Sequence, residues 1–138
     1  MTSAGEGDLL LLRVDSVGAI RYVKSFGDAT ANDIGGLAVD ASDNVYLASH
    51  GSGSVDFGGG ALTSVGDADV FVARLDGSGA HGWSRRFGDE GAQHVSALAL
   101  GAGGGLLIAG HFTGVIDLGN GALAAQGPHD IFVGRLAP

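Results

Sequence analysis

The chain is written twice. Residues 8–68 align with 69–129 without a gap at an offset of 61, and 21 of those positions are identical. The identities include Asp8/Asp69, Arg13/Arg74, Asp15/Asp76, His50/His111 and Asp56/Asp117, together with "FGD" at 26–28 and 87–89. A second shift by the same offset lays "DIFVGRL" (130–136) on "DVFVARL" (69–75). Residues 1–138 therefore divide into a repeat at 8–68, a repeat at 69–129 and the opening strand of a third at 130–138. A gapless match of this length marks an architecture of stacked copies of one supersecondary unit. "TSAGEGD" (2–8) lies opposite "TSVGDAD" (63–69), so the chain opens in mid-repeat. The expectation is a piece of a longer array, or else a small protein that completes itself by association.

Each repeat reads as four short strands. In "DVFVARLD" (69–76) both pleat faces are largely apolar, with Val70 and Val72 on one and Phe71, Ala73 and Leu75 on the other. Strands covered on both sides have this pattern. The turn "DGSGA" leads to a more polar strand at 80–88. "VSALAL" (95–100) and "LLIAGHF" (106–112) follow, the latter equivalent to "NVYLASH" (44–50), and a small hairpin at 115–127 leads on to the next repeat. No segment sustains a 3.6-residue apolar period. With 27 glycines, 2 prolines and 45% apolar residues, the chain suits many tight turns between short strands, and is too apolar for disorder.

Four strands per unit, apolar on both faces and repeated head to tail, predict an all-β fold of propeller blades. Two blades do not make a ring, which takes roughly 4 to 8. Exposed apolar faces drive association. Homo-oligomers of two, three or four copies would supply four, six or eight blades, and ring geometry favours the trimer.

Charge narrows the partners. Asp and Glu number 15 against 7 Lys and Arg, a net −8 that repels nucleic acid and anionic membrane surfaces. There is no cysteine, which excludes disulfides and thiolate metal sites. The longest unbroken run of large apolar residues, "LLLL" at 9–12, is far short of the roughly 20 residues that span a bilayer. "MTSAGEG" carries no basic stretch followed by an apolar one.

"VDASDNVYLA", "DVFVARLDGSGAHGWSRRFG" and "VDFGGGALTSVGDADVFVARL" resemble the bacterial seven-bladed β-propeller repeats known as SBBP. The strand order is similar to that of NHL-type propellers, with "GLAVD" and "NVYLA" as inner strands. That resemblance implies one whole blade at 34–87, two outer strands of another at 8–26 and three strands of a third at 95–136. It also implies large secreted or surface proteins as the usual context. It brings no catalytic residues. "GAGGG" (101–105) departs from the polar turn "DASDN" (40–44), which predicts a looser hairpin in the second repeat.

Each candidate site has a plain alternative. His50 and His111 share one repeat position and could line a mouth of the ring or bind a metal, against the plainer role of half-buried side chains satisfied by backbone. No second ligand type stands at metal spacing, so no metal centre or cofactor is expected. Arg13, Arg74 and Arg135 recur in one strand and could clamp a carboxylate, against pairing with an Asp of the same blade. Tyr22 and Trp83 share an outer-strand position and could stack on sugars, against packing between blades. The Asp residues at 15, 28, 40, 43, 56, 76, 89 and 117 read as turn caps rather than calcium ligands. "GSGAHG" (77–82) matches G-x-G-x-x-G but joins two strands, where a dinucleotide fold needs a strand opening into a helix. No serine sits on a nucleophile elbow. The sequence thus points to a non-enzymatic binding or structural scaffold. The alternative is a lectin-like propeller with repeated glycan or protein ligand sites, and an accessory piece of a hydrolase is third.

Overall fold

A computed structural model describes residues 5–137. Those residues are all-β, with one helical turn at Ala102–Gly104. In chain order the strands are β1 (Leu9–Val14), β2 (Ile20–Phe26), β3 (Asn32–Val39), β4 (Val45–Gly51), β5 (Ser54–Val55), β6 (Leu62–Thr63), β7 (Asp69–Leu75), β8 (His81–Phe87), β9 (Gln93–Leu100), β10 (Leu106–Phe112), β11 (Val115–Asp117), β12 (Ala122–Ala124) and β13 (Asp130–Leu136). They form three principal sheets. The first is β1-β2, the middle one β3-β4-β7-β8, and the third β9-β10-β13. Two small hairpins, β5-β6 and β11-β12, stand apart. The pairings match the division at 8–26, 34–87 and 95–136. β9 begins earlier than its apolar run, at Gln93, whose side chain is fully buried and hydrogen-bonded. Among the described residues the sheets do not close into a ring.

The middle sheet is covered on both sides, as its two-faced apolar pattern requires. Phe71, Ala73 and Leu75 of β7 and Val45 and Leu47 of β4 meet Leu9, Leu11 and Phe26 of the first sheet. Val70, Val72, Tyr46 and Ala48 point the other way, onto Val95, Leu106, Ile108, Phe132 and Leu136 of the third. Burying each large side chain contributes about 1.5–3 kcal/mol, so this sheet anchors the other two.

Two glycines let the middle and third sheets approach. A Cβ on Gly35 would run into Val95, and one on Gly36 would lie 2.7 Å from the Leu98 Cβ. Gly35 is also the residue at which β3 bulges against β4, between Ile34 and Gly36. Its repeat counterpart Ser96 sits at the equivalent irregularity of β9 and is exposed.

A second tie is ionic. Asp69 is 0% exposed, forms an ion pair with Arg86 across β7 and β8, and accepts the Val65 N–H at 3.0 Å. In the first repeat the Arg86 position is held by Ser25, whose hydroxyl donates to the counterpart Asp8 at 3.5 Å.

The turns bear out their carboxylates as caps. Asp15 accepts the N–H groups of Val17 and Ala19 at 3.0 and 2.8 Å, and Asp76 those of Ser78 and Ala80 at 2.8 and 2.9 Å. Asp56 and Asp117 cap the small hairpins in the same way. The "GAGGG" turn still closes β9 onto β10: Gly104 takes φ 81° where its counterpart Asp43 takes φ 65°.

Two outcomes follow for thermal unfolding. Gly35→Val should destabilise by about 1–3 kcal/mol through overpacking, whereas Ser96→Val in a single chain should leave the midpoint nearly unchanged. Arg86→Ala strands the Asp69 carboxylate in the core and should cost about 3 kcal/mol.

Candidate functional site

The sequence candidates separate into two groups at opposite ends of the sheets. Arg74 pairs with Tyr46 across β7 and β4, and His50 pairs with Val70. These two cross-strand positions are four residues, about 13 Å, apart along the strand.

At one end the structure assembles a run of histidines. His50 is the last but one residue of β4, His94 the second of β9, and His111 lies directly across from His94 on β10. The His50 and His94 ring centres are 4.5 Å apart, edge to face. His94 and His111 stack at 4.8 Å with 11° between planes, and His129, just before β13, lies 6.2 Å from His111. A cavity of about 610 Å³ opens here, lined by His94, His111, His129, Ser96, Ala109 and Ile131 among others. His50 and His111 are thus joined by a bridge that the repeat comparison did not disclose. His94 stands where the first repeat has Asp33, and His129 where it has Ala68. The signal was present in the sequence, but only as a departure from the repeat.

The run disfavours protonation of its inner members. Burial pushes the His50 imidazole below its ordinary value, and the neighbouring His94 and His111 push it the same way, with Asp33 opposing. His94 is lowered by burial and by His111, again against Asp33. Neutral imidazoles can accept hydrogen bonds or ligate soft cations. Their centres succeed one another rather than surrounding a point. Among the described residues, no three His, Cys, Asp or Glu side chains are placed to hold a metal ion.

At the other end each arginine has its own task. Arg13 donates to the Gly77 carbonyl at 2.5 Å and to Asp43 at 2.9 Å. Those partners belong to the middle sheet, not to the arginine's own sheet, so this pair fastens one sheet to the next. Arg74 has no such acid, since the counterpart of Asp43 is Gly104. Arg135 donates to the Ala102 carbonyl at 2.7 Å. The three do not converge on one ligand. Tyr22 lies opposite Arg13 and Trp83 opposite Arg74 in the strand register. Tyr22 packs half-buried on the core between the first and middle sheets. Trp83 packs beside Tyr46 at 6.4 Å, with the Arg85 guanidinium 5.2 Å from its ring centre. A cleft of about 440 Å³ borders Arg13, Arg21, Tyr22, Gly77 and Ser78.

Asp28 and Asp89 do more than cap a turn. Asp89 accepts from Gly91 N–H (2.9 Å), the Gln93 side-chain amide (2.7 Å) and Val115 N–H at the start of β11 (2.8 Å). Asp28 does the same with Thr30 and with Ser54 N–H at 2.6 Å. These bonds hold the Asp28 carboxyl below the usual carboxylate range, the Thr30 hydroxyl contributing most.

No family model matches the chain. The chain is similar to the "Regulatory protein FlaEY" of Caulobacter vibrioides, with 35% identity over 115 residues. That match takes in 77% of this chain but spans only 12% of the length of its relative.

The histidine run has a pH signature of known sign. His50 and His94 bind protons less readily folded than unfolded, so stability is lost as pH falls below about 6.5 toward their folded values. His94→Asn removes one of these groups and its field on His50. The fall in unfolding temperature between pH 7.5 and pH 5.5 should therefore be smaller in the variant than in the parent chain.

Proposed function

We propose that the chain is a non-enzymatic scaffold segment of β-propeller type, related to the SBBP repeats, whose blades self-associate until their apolar faces are covered. The observation that carries this reading is the contrast between equivalent faces. The middle sheet is sandwiched on both sides, while the same repeat positions on the outer faces of the first and third sheets stand open. The sheet order β3-β4-β7-β8, with two strands of one blade before it and three of another after it, fits consecutive blades of a propeller. A match to a small fraction of a much longer regulatory protein fits a module used within larger chains. The sites described above suit binding rather than catalysis: Arg13 and Arg135 are tied to backbone or Asp, and the histidine cavity sets imidazoles beside Ser96 and apolar groups.

Light scattering tests the reading. The chain should run as a discrete oligomer, a small whole-number multiple of 13.6 kDa with three copies as the first expectation. A clean monomer at micromolar concentration would overturn it. A glycan array would favour the lectin alternative if one sugar class bound consistently and the binding fell on Tyr22→Ala.

A further inference from the structure

We propose that β1 of one copy of the chain takes the place of β13 in another, so that copies join by exchanging a strand position. This rests on the self-association put forward above and specifies its geometry.

The starting point is the unequal fate of equivalent residues. Val70, Phe71, Val72 and Leu75 are each 0% exposed in the middle sheet. One repeat later Ile131 and Val133, the counterparts of Val70 and Val72, are 80% and 77% exposed. One repeat earlier Leu10 and Val14, the counterparts of Phe71 and Leu75, are 66% and 50% exposed. The first sheet consists only of the equivalents of β7 and β8. Among the described residues nothing occupies the place that β3 and β4 fill in the middle sheet. β1 therefore keeps an open edge. Beside it, Ile34, Leu37 and Val39 of β3 face two adjoining clefts of about 250 and 260 Å³ that share Leu11 and Leu37. An open edge over an apolar groove is an acceptor for added strands.

The missing pair is present elsewhere in the same chain, as β9 and β10. In the third sheet β10 pairs with β13, matching Ile108 to Gly134, Ala109 to Val133 and Gly110 to Phe132. In the middle sheet β4 pairs with β7, matching Leu47 to Ala73, Ala48 to Val72 and Ser49 to Phe71. Carried over by one repeat, that register sets Ile108 opposite Leu12, Ala109 opposite Leu11 and Gly110 opposite Leu10. β1 and β13 are thus two versions of one strand that fit one edge.

Two features favour β1. It arrives with β2 attached, which supplies the fourth strand that the third sheet lacks. It also brings Leu12 to a core-facing position where β13 has Gly134. The exchange lays β9 and β10 over Ile34, Leu37 and Val39 and turns Leu10 and Val14 onto the neighbour's middle sheet, so one event fills the groove beside β1 and covers the outer face of β1, while β13 gives up its place on β10. Stacking with β13 kept in place would leave the groove beside β1 empty. The contact is head to tail, so it closes into a ring or runs on.

Engineered cysteines read the exchange directly, since the chain has none of its own. Leu11→Cys chains mixed with Ala109→Cys chains and mildly oxidised should give a disulfide-linked heterodimer as the main product. An Ala109→Cys/Val133→Cys chain should stay reduced within the oligomer. A third variant tests the fit of the faces. Ser96 would meet Ile34 of the next copy as Gly35 meets Val95, so Ser96→Phe should give a monomer with an unchanged far-ultraviolet circular dichroism spectrum. An oligomer in which the Ala109→Cys/Val133→Cys pair closes within one chain, and Leu11→Cys never links to Ala109→Cys, would overturn the exchange and leave self-association standing. A parent chain that is monomeric would overturn both.

Discussion

Everything in this molecule follows from a sheet that is apolar on both faces. Such a sheet cannot face water on either side without exposing several large side chains, each worth about 1.5–3 kcal/mol when buried. β7 shows the constraint at its most complete: its alternate residues serve two different cores, Phe71, Ala73 and Leu75 in one and Val70 and Val72 in the other. The middle sheet is thus an organiser rather than one layer among three. It gives the first and third sheets a face to rest on, and it receives cover from both.

Much of this is legible in the residues themselves. The offset between "DLLLLRV", "DVFVARL" and "DIFVGRL" located the equivalent strands, and apolar residues on both faces of β7 announced that it is covered twice. What could not be read was contact between non-neighbouring positions. Gly35 looks like any other glycine in a glycine-rich chain, and only the nearness of Val95 shows why no side chain fits there. Asp28 and Asp89 read as turn residues, yet each also reaches the first strand of a small hairpin 26 residues further on. Arg13 was expected to find an acid in its own sheet and finds Asp43 in the next, because β1 and the β3–β4 turn are brought together only by stacking.

The candidate site illustrates the opposite limit. A search for repeated residues finds His50 and His111 and passes over His94 and His129, which have no histidine counterparts. Yet those two turn an isolated pair into a continuous run. Replacing the Asp33 position by histidine in the second repeat removes a carboxylate and adds an imidazole at the same cross-strand place. The two repeats therefore share a backbone while differing in the ionisable group each presents at this end of the sheets. Chemistry specific to one copy lies in such departures, whereas the repeat itself encodes the frame.

The aspartate ties of the small hairpins have a consequence for how the protein comes apart. β5-β6 and β11-β12 are fastened by a carboxylate gripping a few backbone amides, as Asp89 grips Val115, and only in part by apolar cover such as Val55 and Ile116. A clasp of this kind can let go while the stacked sheets stay shut. Amide protons of these arms should accordingly exchange with solvent through their own local opening events, orders of magnitude sooner than those of β7. Native motion would then begin at the periphery, in two places related by the internal symmetry of the chain.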